Sequence, residues 1–223
     1  VMDYDEITLN MGTSSQLTAS LAAGVEDAAV SWTSGDAQVA TVDENGVVFG
    51  VSTGRTTVTA SVTADGVTYS GSCAVLVRPE DYDDFVIDDD GVLKEYTGWR
   101  TQIAIPEGVT KIDDYVFAMR PVEQISIPAS VTEIGNYAFS NCQRLYQVTF
   151  AEGSKLYEIG DYAFETTVIT EIELPSSLRK IGRNAFYSCY FLNTVHLPEG
   201  LTELSAYIFY ACGNLKNINL PST

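Results

Sequence analysis

Five successive segments of this chain repeat one pattern: IAIPEGVTKIDDYVFAMRPVEQ, ISIPASVTEIGNYAFSNCQRLYQ, VTFAEGSKLYEIGDYAFETTVITE, IELPSSLRKIGRNAFYSCYFLNT and VHLPEGLTELSAYIFYACGNLKN, of 22, 23, 24, 23 and 23 residues. A nearly fixed period in the twenties means a solenoid, in which each unit is one coil that buries its apolar face against its neighbours. Spacing inside the unit is stricter than its length. An apolar residue lies five positions before an aromatic one every time: Ile112 and Phe117, Ile134 and Phe139, Ile159 and Phe164, Ile181 and Phe186, Leu204 and Phe209. The third unit has two extra residues ahead of Ile159 and one fewer after Phe164. Length changes therefore fall in loops between fixed apolar positions, as a stack of coils requires.

Three pieces make up a unit. The segment I-x-[IL]-P alternates and ends in proline, so it predicts a short strand that stops where the ladder must release the chain. The segment [VL]-x-x-I predicts a second short extended piece. The A-F-x-x-C portion is too short for a free helix and is expected to make a single helical or 3-10 turn. Each coil points inward a set such as Ile125, Ile127, Val131, Ile134, Ala138, Phe139 and Leu145. One coil cannot stand alone, so stability must come from burial and strand hydrogen bonds between neighbours.

Residues 1–78 follow a different pattern. Val, Thr, Ser and Ala alternate with period two in QLTASL (16–21), TTVTASV (56–62) and SCAVLV (72–77), and ENG (44–46), STG (52–54) and ADG (64–66) separate the runs. Short strands with such turns indicate an antiparallel sandwich. Trp32, in VSWTS, is expected at the centre of its core, and Cys73 is expected as a small buried hydrophobe. A link, RPEDYDDF, leads into VIDDDGVLKEY. With Gly91 at the glycine position of a calcium-binding EF-hand loop, the first ligand position falls on Val86 and the last on Thr97, so that reading fails. A hairpin turn through Asp90 and Gly91 is expected instead.

ITLNMGTSSQLTA, VSWTSGDAQVATVDENGVVFGVSTGRTTVTA and the closing CAVLV are similar to the bacterial immunoglobulin-like domain, group 2, over most of residues 6–77. Phe49 departs from that pattern, which favours a small or polar residue there, and is expected to pack against the next domain. From about residue 85 on, the chain resembles the BspA-like leucine-rich repeats of bacterial surface proteins. Their motif I-x-x-x-A-F-x-x-C-x-x-L is complete at Ile134, Ala138, Phe139, Cys142, Leu145 and at Ile181, Ala185, Phe186, Cys189, Leu192. FVIDDDGVLKEYTG resembles that family's N-terminal capping hairpin. The expected fold is mainly β: an Ig-like β-sandwich at 1–78, a linker at 79–84, and at 85–223 a leucine-rich-repeat solenoid of short parallel strands with short helical or 3-10 turns. The resemblance implies an extracellular or cell-surface bacterial protein whose repeat sheet binds a partner in adhesion or host contact.

Acidic residues outnumber basic ones 30 to 12, giving a net charge of −18, with −7 up to Arg78 and −11 after it. Nucleic acid and anionic membrane are poor partners for such a surface. No run approaches the roughly 18 apolar residues of a transmembrane helix, and VMDYDEITLNMG lacks the regions of a signal peptide, so neither anchor nor address is expected within the chain. The closing NLPST opens the repeat motif again, which reads as a fragment of a longer protein.

Three cysteines, Cys142, Cys189 and Cys212, each follow the repeat phenylalanine by three residues and so share a column, with Thr167 in the third unit. At a coil spacing of about 4.8 Å, Cys142 and Cys189 stand about 10 Å apart, too far to share a zinc ion. Cys189 and Cys212 are near enough for a disulfide, but parallel side chains favour free thiols. His196, the only histidine, takes an outward strand position while Cys189 points inward, which defeats a cysteine–histidine mechanism. Glu171 and Glu173 share a strand face at about 7 Å, a spacing compatible with glycoside hydrolysis, yet a solvated sheet face explains them better. No catalytic residue, metal or cofactor is expected.

If the solenoid binds a partner, the outward strand positions form the candidate surface: Gln102 and Ala104, Gln124 and Ser126, Gln147 and Thr149, Glu171 and Glu173, Thr194 and His196, Asn217 and Asn219. Gln124, Gln147, Glu171, Glu173, His196 and Asn217 are the chosen ligand residues. Tyr115, Tyr137, Tyr162 and Tyr207, two before each phenylalanine, are expected to pack coil on coil. The leading expectation is a non-enzymatic, monomeric binding or adhesion protein, with the Ig-like domain as spacer and a host or bacterial surface protein or glycan as partner. The alternatives are an accessory region of a larger extracellular glycan-degrading enzyme, or repeats that pack in trans between proteins.

Overall fold

The computed structural model describes residues 2, 4–20 and 29–219, in two compact units divided between Asp83 and Asp84. The first contains β1 (Glu6–Asn10), β2 (Ser14–Gln16), β3 (Ser31–Ser34), β4 (Ala40–Val42), β5 (Val47–Gly50), β6 (Gly54–Ala64) and β7 (Val67–Arg78). They form one sheet in the order β1-β7-β6-β3 and another in the order β2-β5-β4. The alternation in β6 buries Val58, Ala60 and Val62, and that in β7 buries Cys73, Val75 and Val77. Leu9, Leu17, Ala40 and Val48 complete a core shared by the two sheets. The ADG turn sets Asp65 at φ 52° and Gly66 at φ 77°, the paired positive angles of a tight hairpin whose twist suits the flanking strands.

Three expectations for this unit need correction. The sandwich is not wholly antiparallel, because β1 enters at the sheet edge alongside the last strand, β7, and runs parallel to it. QLTASL is not one strand: β2 ends at Gln16, Leu17 turns into the core, and residue 21 lies outside the described residues. Trp32 packs against the core but is only partly buried, since β3 is an edge strand with no neighbour on one side. Its indole lies against Gly46, at φ +83°, where a Cβ would come within 2.7 Å of both Leu17 O and Trp32 Cζ2. Phe49 stands 44% exposed in β5.

A 3-10 helix at Tyr82–Asp84 leads into the second unit. That unit opens with a hairpin of β8 (Phe85–Ile87) and β9 (Val92–Tyr96). Its turn forms as expected: Gly91 N–H donates to Asp88 O at 3.0 Å, and Asp88 Oδ1 accepts from the Asp90 and Val92 amides. β9 pairs in parallel with β11 (Lys111–Ile112), so the hairpin caps the stack.

Every later coil contributes two strands. The two-residue pieces β11, β13 (Glu133–Ile134), β15 (Glu158–Ile159), β17 (Lys180–Ile181) and β19 (Glu203–Leu204) continue the hairpin into one seven-stranded sheet. The other strands, each leading into a proline except β14 where Ala151 follows, are β10 (Gln102–Ala104), β12 (Gln124–Ile127), β14 (Gln147–Phe150), β16 (Glu171–Glu173), β18 (Thr194–His196) and β20 (Asn217–Asn219). They pair in parallel as β10-β12-β14 and again as β16-β18-β20, with no ladder between β14 and β16. Both irregularities of the third unit flank that gap. The first unit has the same short return after Phe117 without the insertion and keeps its pairing, so the two inserted residues are what separates the ladders.

The A-F-x-x-C segments form no helix; each makes single hydrogen-bonded turns, as Ser140 N–H to Tyr137 O at 3.0 Å and Cys142 N–H to Phe139 O at 3.2 Å. Each coil turns its corner with two left-handed residues around the phenylalanine: Tyr115 and Met119, Tyr137 and Asn141, Tyr162 and Thr166, Asn184 and Ser188, Tyr207 and Ala211, all at φ between 54° and 63°. Such a conformation costs on the order of 1 kcal/mol for a residue other than glycine. It persists here because amides between the two positions bond to the next coil, as Phe117 N–H to Ala138 O at 2.8 Å and Phe139 N–H to Ala163 O at 2.7 Å. Beside each corner runs a side-chain ladder in which Asp114, Asn136 and Asp161 accept from the amides of Asn136, Asp161 and Arg183 at 2.7 to 2.8 Å.

The core is one aromatic column. Phe85, Tyr96, Phe117, Phe139, Phe164, Phe186 and Phe209 follow one another at centroid distances of 5.0 to 5.6 Å. Dispersion between rings and the burial of their faces tie each coil to the next.

Candidate ligand-binding strand face

Alternation along β10, β12, β14, β16 and β18 decides which side chains reach solvent. Ile103, Ile125, Val148, Ile172 and Val195 turn inward and are buried, and the residues on either side of each turn outward. The register aligns Gln102, Gln124 and Gln147 in one row and Ala104, Ser126 and Thr149 in the next. In the second ladder Glu171, Thr194 and Asn217 align, as do Glu173, His196 and Asn219. The six chosen residues thus occupy two separate ladders: Gln124 and Gln147 on one, Glu171, Glu173, His196 and Asn217 on the other. No hydrogen-bonded ladder joins the two, although β14 and β16 remain neighbours.

Neighbours hold several of these side chains. Gln124 Nε2 donates to the Tyr146 hydroxyl, and Thr149 Oγ1 to Ser126 Oγ at 3.0 Å. His196 Nε2 lies 3.2 Å from Glu171 Oε1, with both side chains more than half exposed. Asn219 both accepts from Leu197 N–H and donates to Leu197 O at 2.8 Å, so its amide closes the end of β18, while Asn217 Nδ2 makes only longer contacts of 3.4 Å to Asn193 Oδ1 and Thr194 Oγ1. Tyr146 was not legible as a participant, because it acts across a coil boundary.

The cysteine column is built into the core. Cys142 Sγ donates to Phe117 O at 2.9 Å, Cys189 to Phe164 O at 3.1 Å and Cys212 to Phe186 O at 3.0 Å, each to the coil before its own. Thr167 Oγ1 stands 3.3 Å from Cys189 Sγ in the same column. All four cysteines of the chain are free thiols. Burial pushes the Cys142 thiol up to about 12; in the adjacent pair the Cys212–Cys189 hydrogen bond lowers Cys189 and raises Cys212, so burial and position, not the thiol's acidity, keep Cys189 from acting as a nucleophile. His196 is on the exposed face and Cys189 is fully buried.

The tyrosines pack coil on coil and also line the surface. Tyr115, Tyr137 and Tyr162 stack at 4.9 Å and 3°. Where the fourth unit has Asn184 instead, the column shifts to the residue after the phenylalanine, Tyr187, which stacks on Tyr210 at 5.7 Å. The F-Y pair shared by the fourth and fifth units is the signal that marks this shift. Tyr115, at the end of the stack, is 59% exposed, and Tyr207 meets Tyr210 of its own coil edge-on instead of stacking on the coil before.

Residues 110–223 match the BspA type leucine rich repeat region, in six copies. The chain belongs to this family. Residues 2–71 match the bacterial Ig-like domain (group 2). Among solved structures, the leucine-rich repeat protein of T. pallidum is similar with a TM-score of 0.59 and 29% identity, over 64% of this chain and 71% of that one. A leucine-rich repeat protein from Eubacterium ventriosum shares the fold at TM-score 0.53 and 22% identity, over 74% of this chain and 42% of its own. A 3-O-alpha-D-galactosyl-alpha-L-arabinofuranosidase of Bifidobacterium longum subsp. longum is 47% identical over 74 residues, 33% of this chain, which spans 6% of that enzyme. Ig-like and leucine-rich-repeat domains are non-catalytic types, and the repeats generally mediate protein binding. BspA-type proteins are typically at the bacterial cell surface or secreted. Among the described residues no helix is long and apolar enough to cross a membrane.

Proposed function

We propose that this chain is a non-enzymatic, extracellular or cell-surface binding module in which an Ig-like spacer presents the repeat solenoid to a protein or glycan partner. The observation that supports it is the register of the outward strand positions. Parallel pairing repeats amide, hydroxyl and carboxylate groups at a spacing of about 4.8 Å, so one extended partner meets the same chemistry several times. Gln124 and Gln147 form one contact row; Glu171, Glu173, His196 and Asn217 form the other. To test this, the full chain is immobilised and offered a panel of host matrix proteins and bacterial surface glycans. The double variants Gln124→Ala/Gln147→Ala and Glu171→Ala/His196→Ala are measured beside it. A panel member that binds the parent should lose at least about tenfold in affinity to one double variant, since truncating a central contact costs more than 1 kcal/mol. Equal binding by parent and both variants, or no binding above background, counts against the reading.

A second reading has support from the arabinofuranosidase match: the same module serves as an accessory region of a larger glycan-degrading enzyme. Arabinogalactan oligosaccharides in the panel separate the two. Selective retention of these alone favours the accessory role.

A further inference from the structure

We propose a second binding site on the flank of the first two coils, for an acidic peptide segment of a protein partner that also carries apolar side chains. It lies apart from the strand face and does not depend on what that face binds. A cleft of about 540 Å³ opens there, lined by Met119, Arg120, Pro121, Asn141, Gln143 and Arg144. Met119 and Asn141 are left-handed corner residues, at φ 60° and 57°, and the corner leaves the Met119 side chain 80% exposed. Arg120 is held in place: its Nη1 donates to Gly98 O at 3.3 Å and its guanidinium lies 5.5 Å over the Tyr96 ring. The residue after Gly98 is Trp99, 93% exposed.

Leaving the Met119 side chain in water at the cleft forfeits most of its burial energy, and Met and Arg are residue types concentrated at the centres of protein interfaces. Charge narrows the partner further. The cleft is lined by two arginines and no acid, in a chain with 30 acidic and 12 basic residues. Glu123 beside it accepts from Arg144 Nη2 at 2.6 Å and leaves that side chain 62% exposed. A guanidinium so placed takes a carboxylate through two parallel hydrogen bonds, which a lysine cannot do. The amides of Asn141 and Gln143 suit a peptide backbone, and the Met119 thioether suits an apolar side chain. An acidic glycan would find the two arginines for its carboxylates but no use for Met119.

Fluorescence anisotropy with a labelled octapeptide of alternating Glu and Leu, its Gln and Leu counterpart, and labelled polygalacturonate tests the site on the full chain. The acidic peptide should bind at least about tenfold tighter than the neutral one. Met119→Ala should weaken it about 30-fold, the size of an interface hot spot. Arg144→Gln and Arg144→Lys should each cost about tenfold, while Gln147→Ala on the strand face leaves binding unchanged. Both mutated side chains are exposed, so the variants stay folded even if an Arg120 variant does not. The proposal is overturned if the peptide does not bind, if the two peptides bind alike, if polygalacturonate binds and the peptide does not, or if the Met119 and Arg144 variants match the parent. Loss of binding only in the strand-face variant would place the contact in the other site.

Discussion

Truncating a central ring of the aromatic column should cost about 2 kcal/mol more than truncating the last one. Phe139 is fully buried, with Phe117 and Phe164 each 5.1 Å away and within 4° of parallel. Phe209 is only partly buried and has one ring neighbour in the column, Phe186, at 5.6 Å and 21°. Replacing a buried phenylalanine by alanine costs about 3 to 5 kcal/mol, and each lost ring pair adds about 0.5 to 1.5 kcal/mol. Phe139→Ala should therefore lose about 4 to 8 kcal/mol. Phe209→Ala, less completely buried and with one pair, should lose about 3 to 5 kcal/mol. With a urea slope of about 2 kcal/mol per molar, the two midpoints should differ by about 1 M. Near-UV circular dichroism follows the transition, because ten of the thirteen tyrosines lie after residue 83. Equal shifts for the two variants would refute the idea that coils are stabilised through their nearest neighbours.

Three further outcomes are expected. With Cys142 near 12, about one thiol in ten thousand is ionised at pH 8, so a thiol-reactive chromogen should leave Cys142 untouched in the folded chain and count four thiols after denaturation; two would reveal a Cys189–Cys212 bridge. Gly160→Ala should cost about 1 to 3 kcal/mol, because its Cβ would meet Asn136 N and Gly135 C at 2.8 Å; Gly153→Ala, with φ +72° and nothing within 4 Å, should cost only the roughly 1 kcal/mol of its left-handed conformation, and thermal unfolding ranks the two. Lys94, 2.9 Å away, holds the Asp113 carboxyl below its ordinary value. That contribution is present above pH 4 and lost as the pH falls through the folded value, so Asp113→Asn should flatten the acid limb of the stability profile by less than about 1 kcal/mol.

The coil framework was legible because its inward positions repeat at fixed intervals, and burial leaves little choice of residue at Ile134, Phe139 or Leu145. The corners were not. Left-handed geometry at Tyr137 or Thr166 is imposed by hydrogen bonds to the next coil and leaves no trace in residue type, so a helical turn was the natural reading of A-F-x-x-C. The break between β14 and β16 was visible only as two inserted residues, whose effect depends on how adjacent coils align. On the strand face, alternation identified the outward side chains but not their ties, such as Gln124 to Tyr146, which cross a coil boundary. Trp99 and Met119 escaped notice for the opposite reason: large apolar side chains are expected inside, and here the corner geometry and the Gly98 turn leave them in water.

The distinction between binding and turnover is tested by one paired measurement. The full chain is incubated with the same panel of surface proteins and glycans, and retention on the immobilised chain is recorded alongside release of new reducing ends or new amino termini. Retention of at least one panel member, lost in a strand-face double variant and accompanied by no release, is the result this account predicts. Release that persists through repurification and scales with the amount of chain would contradict it.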